Sequence, residues 1–250
     1  MPIPHLEMEN VTVSFPSSVG IVTALKDISI KIPAGQWLTV VGGNGSGKTT
    51  LLNVISGTVK VESGSVILDG KSLNGVPAYR RCRRIGRVFQ NPLDGTAPTL
   101  SVFENLCLAA RRSRAPTVRG LLKRALRDEF RRILAEFKIG LEARLDDPVA
   151  VLSGGLRQCL SVAMASLGGV ELLLLDEHLA ALDAKTAQLA LVGTAELITK
   201  MRLTTIMVVH DLGIATGYGD RVLALKRGGI VLDVMNDLRI LKQEEIRNVL

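Results

Sequence analysis

The sequence is poor in aromatic residues, which make up 3% of its 250 positions. A core in a chain of this length must be filled by aliphatic side chains, and these abound: the hydrophobic share is 47%. Cysteine is equally sparse. Cys82, Cys107 and Cys159 are far apart and odd in number, which speaks against a disulfide framework and suggests no metal site. A reducing cytoplasm is the compartment such usage predicts. No uninterrupted apolar run reaches the ~18 residues that a membrane span needs. The stretch from Met1 to Glu7 has neither the basic nor the apolar region of a secretory leader, so none is expected. Internal repeats and low-complexity segments are also missing from the sequence.

What the sequence does have is size, positive charge and one dense glycine loop. Its length suits one large α/β domain or two closely packed subdomains. The net charge is +7, and much of the excess is arginine between Arg80 and Arg132, including Arg80-Arg81-Cys82-Arg83-Arg84 and Arg111-Arg112-Ser113-Arg114. Such a stretch reads as a patch for anionic lipid headgroups, as a nucleic-acid footprint, or as a solvated helix face. Aromatics to stack on bases are wanting there, which disfavours a single-strand binder.

The loop is Gly42-Gly43-Asn44-Gly45-Ser46-Gly47-Lys48-Thr49-Thr50, a match to G-x-x-x-x-G-K-[ST]. Glycines let consecutive backbone N–H groups turn inward around phosphate oxygens. The helix that starts at the end of the loop adds the positive end of its dipole. Lys48 is then placed to reach the β- and γ-phosphates, and the Thr49 hydroxyl to ligate Mg²⁺. The flanks agree, because Trp37 to Val41 reads as a buried strand and Thr50 to Ile55 opens an apolar-faced helix ended by Gly57. These residues predict binding of a nucleoside triphosphate.

Around the loop, the alternation over residues 6–15 and 22–32 predicts half-exposed antiparallel strands. Pro33-Ala34-Gly35 predicts the turn into the loop's strand. Residues 63–70 and 85–90 read as further strands, the second ending at Asn91-Pro92. Thr99 or Ser101 is expected to cap a helix over 102–110, Ser101 having capping-box spacing to Glu104. Residues 118–138 carry apolar side chains at helical spacing. The runs at 170–177 and 204–210, with a helix over 184–200 between them, predict a βαβ unit and a parallel sheet buried on both faces. Strands at 222–225 and 229–233 and a short helix complete the expectation.

Taken in order, Gly42 to Thr49, Gln90 after its strand, Leu152-Ser153-Gly154-Gly155, Leu172 to Glu177, Ala181-Leu182-Asp183 and His210-Asp211 resemble the ATP-binding subunit of an ABC (ATP-binding cassette) transporter over essentially the whole chain. The resemblance implies an α/β fold: a P-loop NTPase core with a parallel sheet, an N-terminal antiparallel β subdomain and an inserted α-helical subdomain. It implies a single domain over 1–250, with 1–90 and 170–250 as the nucleotide-binding core and β subdomain, and 91–169 as the helical subdomain bearing Ser153 to Gly155.

The same resemblance assigns roles. Asp176 holds Mg²⁺, Glu177 polarises the attacking water, and His210 contacts the γ-phosphate and supports Glu177. Gln90 touches Mg²⁺ and the water and couples the site to the helical insert. Phe15 is the ring that stacks on adenine, and His178 reads as structural. Ser153, Gly154 and Gly155 cap the γ-phosphate of ATP held by a second copy, so that two sites form in a head-to-tail dimer which Asp183 helps to join. Three positions depart from the common pattern: Leu156 stands for Gln, His178 for Pro and Leu179 for Thr. Leu156 bears on hydrogen bonding across the dimer.

A narrower resemblance, carried by Arg87 to Pro98 and Asp176 to Asp183, is to bacterial importer ATPases for tryptophan, tyrosine and similar small solutes. The expected protein is thus a Mg²⁺-dependent ATPase on the inner face of the cell membrane. It would drive import through a separate integral-membrane permease, with an extracytoplasmic solute-binding protein as an indirect partner and no nucleic acid expected. A nucleic-acid-associated ABC ATPase and the ATPase of an exporter share the catalytic residues. The former usually carries a heptad coiled coil or two cassettes, neither of which is visible here.

Overall fold

A computed structural model describes residues 5–18, 20–112, 123–180, 182–236 and 241–250. Strands β1 (Leu6–Ser17) and β2 (Gly20–Ile32) form an antiparallel hairpin. Its register slips between Met8 and Val11, between Val11 and Val13, and again before Ser14. Such bulges add twist and re-aim the side chains beyond them. The turn after β2 closes when Gln36 N–H donates to Pro33 O (3.3 Å) across Gly35, whose φ is 76°. A type II turn asks for glycine at that place.

Then come β3 (Trp37–Val41) and α1 (Lys48–Ser56), with the glycine loop between them. All of β3 is buried. β4 (Ser63–Leu68), β5 (Lys71–Ser72) and the short α2 (Ala78–Arg81) follow, and β6 (Ile85–Val88) leads to α3 (Val102–Ala110) and α4 (Lys123–Ala135). Ser101 rather than Thr99 caps α3, in a full capping box with Glu104. The helix expected over 118–138 is seen as α4, and its expected start at 118–122 lies outside the described residues.

After α4 come α5 (Gly154–Ser166), β7 (Leu172–Asp176), α6 (Ala184–Met201), β8 (Thr204–Val208), α7 (Leu212–Tyr218), β9 (Arg221–Lys226), β10 (Gly229–Met235) and α8 (Gln243–Arg247). The strands at 85–90, 170–177 and 204–210 each end one or two residues before their apolar run does, because Gln90, Glu177 and His210 stand past the last ladder position.

The chain divides into two compact units. One comprises the described residues up to Cys82 together with Thr204–Leu250, and the other those of Arg83–Leu203. In the first, β2-β1-β4-β5 make an antiparallel sheet, while β3 runs parallel to both β8 and β9, with β10 antiparallel to β9. In the second, β6 and β7 pair in parallel beside the helices. Three phenylalanines fill its interior: Phe103, Phe130 and Phe137 are buried, and the first two lie 5.7 Å apart between centroids. Glycine at 155 lets α5 approach α6, since a Cβ there would collide with Thr186.

The arginines that raise the net charge are largely engaged. Arg84 pairs with Glu171, Arg127 with Asp146 and Arg131 with Asp128, and Arg112 donates to Met164 O (2.8 Å). Arg127 also lies over the Phe103 ring (4.6 Å). Arg114 lies outside the described residues. Cys82, Cys107 and Cys159 are not joined in disulfides, and burial pushes the Cys159 thiol up to about 12.

Candidate functional site

The glycine loop connects the C-terminal end of β3 to the N-terminus of α1. Gly47 stands at the N-cap with φ 107°, and neither a side-chain cap nor an acidic residue serves the first turn of α1. The helix thus starts without a side-chain cap and with the positive end of its dipole toward the loop, a setting that suits an anion. No side chain fits at two of the loop's glycines: a Cβ at Gly42 would meet Ser46 and Leu225 O, and one at Gly47 would meet Ala24 O. Lys48 folds back over the loop, its Nζ donating to Gly42 O (2.8 Å) and Gly43 O (3.1 Å). Ser46 N–H closes the tip onto Gly43 O (3.2 Å), and the buried Ser46 Oγ has no hydrogen-bond partner among the described residues. Asn44, Gly45 and Thr49 are exposed and Thr50 is half-buried.

His210 belongs to the same unit. Val40 stands level with Val208 in the parallel pair β3/β8, and Val209 N–H donates to Val40 O (3.1 Å). The residue after Val209 is His210, so it leaves the sheet at the edge where the glycine loop begins. Asp211 then caps α7, its Oδ1 accepting from the N–H groups of Gly213 (2.6 Å) and Ile214 (3.2 Å). Phe15 lies beyond the bulges of β1, opposite Val22, and is 39% exposed, enough for a ring face to meet a ligand.

The other candidates lie in the second unit. In the parallel pair β6/β7, Val88 is level with Leu175. Asp176 ends β7 and is buried, and Glu177 and Gln90 follow their strands in more open positions. Glu177 has φ 46°, a left-handed conformation that costs about 1 kcal/mol or more for a residue with a side chain. Ser153 caps α5, its Oγ accepting from Leu156 N–H (3.4 Å), with Gly154 exposed beside it. Asp183 caps α6, its Oδ1 accepting from Thr186 N–H (3.0 Å), and hydrogen bonds from the Thr186 side chain and then from its backbone amide hold the carboxyl below the usual range. Ala181 lies outside the described residues.

Sequence reasoning missed Arg87. Its Nη2 donates to Asp176 Oδ2 (3.1 Å), and its guanidinium lies over the Phe89 ring (4.9 Å). The signal was available, since a lone charge inside a buried strand needs a counter-charge close by. His178 is 2% exposed, and neither ring nitrogen has a hydrogen-bond partner among the described residues. Burial lowers its pKa from 6.5 to about 4. The unfolded chain therefore takes up a proton below 6.5 that the folded chain refuses, and stability is lost as pH falls from there toward 4. Between pH 7 and pH 5 this single group is expected to cost about 2 kcal/mol. Urea unfolding of the parent and of His178→Leu checks it: the variant should lose correspondingly less stability, and equal losses in both would sink the assignment.

The first of these arrangements, a strand-loop-helix with uncapped helix donors under a folded-back lysine, defines a phosphate-loop nucleotide-binding protein. The sequence matches the ABC transporter family over residues 25–180, and the chain belongs to that family as an ATP-binding subunit. Among its relatives, it is 40% identical over 230 residues to a tyrosine transport ATP-binding protein of Clostridioides difficile, covering 92% of this chain and 91% of that one. It is 37% identical over 209 residues to the spermidine/putrescine import ATP-binding protein PotA of Thermotoga maritima, covering 83% of this chain and 53% of that longer protein. A solved dimeric ATP-binding cassette, MJ0796 bound to ADP and Pi, superposes with a TM-score of 0.80 at 27% identity over 92% of this chain and 98% of that one. The fold is that of an ABC ATPase, a family whose activity is ATP hydrolysis.

Proposed function

We propose that this chain powers uptake of a small solute, an amino acid or a similar molecule, through a separate integral-membrane permease. The observation that carries the solute class is the 40% identity, over nearly the full length of both chains, to a tyrosine transport ATP-binding protein, and the direction is supported by the import ATP-binding proteins among the relatives. In this reading residues 42–50 cradle the phosphates of ATP and Phe15 stacks on adenine. The Thr49 hydroxyl, the Asp176 carboxylate and the Gln90 amide oxygen would hold Mg²⁺, for which hard oxygen donors are suited. The metal, when bound, neutralises charge developing on the transferred phosphoryl group. Glu177 orients the attacking water and accepts its proton, Lys48 stabilises the phosphate charge, and His210 contacts the γ-phosphate. Catalysis is then positioning plus electrostatics.

Ser153, Gly154 and Gly155 of one copy would cap ATP held by another, in keeping with the dimer solved for MJ0796. Residues 1–90 and 170–250 would serve as the nucleotide-binding core and 91–169 as the helical part that passes movement near Gln90 to the permease. No described helix is long and apolar enough to cross a membrane, so attachment to the inner face would come through the permease, with an extracytoplasmic solute-binding protein acting at one remove. The test is reconstitution in vesicles with the permease that co-purifies. ATP-driven accumulation of tyrosine or another amino acid is expected, with ATPase activity stimulated by the loaded solute-binding protein. Net extrusion of solute would replace import with export. ATPase stimulation by DNA or RNA without the permease would overturn the transport reading.

A further inference from the structure

Arg81 is 9% exposed, and no carboxylate among the described residues pairs with it. Its guanidinium donates instead to four backbone carbonyls. Nη1 bonds Val54 O (2.8 Å) and Ile55 O (3.0 Å), Nη2 bonds Leu73 O (2.6 Å), and Nε bonds Val76 O (2.8 Å). The first two belong to the last turn of α1, where the helix ladder runs out of donors, and Val54 O also accepts from the N–H of Gly57 (3.2 Å). Gly57, with φ 83°, ends that helix, and a Cβ there would stand 2.7 Å from Arg81 Nε. A desolvated cation against the negative end of a helix is favoured by the dipole, and each bond to a charged donor is stronger than a neutral one.

Helix α1 is nine residues long, about 13 Å of rigid rod, with the glycine loop at one end and Arg81 at the other. Its last turn carries no basic residue of its own, so the charge at that end is supplied from α2. The same fork ties α1 to the turn over 73–76. This planar five-donor group makes all four bonds in one geometry, and lysine, with three donors on a flexible stem, would make fewer of them. A tilt at the far end of so short a helix is delivered directly to the loop.

We propose that Arg81 is a positioning residue of the nucleotide site: by clamping the C-terminal end of α1 it sets the attitude of the glycine loop that receives the phosphates. This rests on the reading that residues 42–50 bind ATP. The experiment compares the parent, Arg81→Gln and Arg81→Lys in ATP titrations and steady-state hydrolysis, with melting followed in parallel. Arg81→Gln is expected to raise KM for ATP about tenfold, with kcat at saturating ATP kept within about twofold, and Arg81→Lys to fall between it and the parent. A residue that only adds stability would lower the melting temperature and leave KM alone. A folded Arg81→Gln protein with an unchanged KM, alongside a parent that binds ATP, overturns the proposal and spares the nucleotide site. A parent that binds no ATP overturns both. Should Arg81→Gln fail to fold, Gly57→Ala, which presses on the guanidinium and keeps its charge, is read by the same KM criterion.

Discussion

Glu177→Gln is expected to bind ATP as the parent does and to hydrolyse it at least about a hundredfold more slowly, the scale on which a positioned general base acts. The substitution exchanges one oxygen for NH₂ and keeps the size of the side chain, and neither residue is better suited than the other to φ 46°. The loss would therefore be chemical. An amide still hydrogen-bonds a water but no longer takes its proton. Phosphate release at saturating nucleotide gives the rate, and an independent titration gives the affinity. Because bound ATP then persists, the variant also tests for the dimer. Sizing with and without ATP should show a shift to two copies, with the permease present if the free subunit does not pair. Turnover close to that of the parent would remove Glu177 from its role.

Lys48→Ala is expected to weaken ATP binding by about 10- to 150-fold, from the loss of one or more charge-assisted bonds at about 1.5–3 kcal/mol each. Two losses coincide. The cation that would face the phosphates disappears, and so does the bridge from Nζ to Gly42 O and Gly43 O. Calorimetric titration reads the affinity, and circular dichroism checks that the strand and helix on either side survive. Binding unchanged in a folded variant would contradict the assignment of the loop.

The strand-loop-helix around Lys48 was legible because its residues serve local requirements. β-branched and aliphatic side chains make a buried strand, glycines admit the tight loop, and an apolar face follows at helical period. The capping box at Ser101 was legible for the same reason, although Thr99 competed for the cap until the Ser101 and Glu104 side chains were seen to bond reciprocally. Helix α7 was harder to read. Gly213 and Gly217 lie in it, residues that oppose helix formation by about 1 kcal/mol each, and the Asp211 cap supplies what propensity does not. Helix α2 is four residues long and depends on Arg81 reaching bonds 26 or more positions away, which no window along the chain reveals.

Charge was the least legible property. A count of arginines suggests a broad basic face, yet Arg81, Arg84, Arg87, Arg112 and Arg127 are each occupied by carbonyls or carboxylates of the same chain. Burial and pairing decide what positive charge is left for a partner, and both are properties of the folded molecule. Gln90, Asp176, Glu177 and His210 owe their assignment to the resemblance to an ABC ATP-binding subunit, and each stands at or just past a strand end, where an apolar run gives way to a polar residue.

Thr186 links two motif stretches that lie some thirty positions apart in the chain. Its amide is fixed by the Asp183 carboxylate, and its methyl group fills the space that Gly155 leaves open. The serine-glycine turn at the head of α5 and the aspartate at the head of α6 are therefore geared together. A displacement of either would bear on the other without a relay.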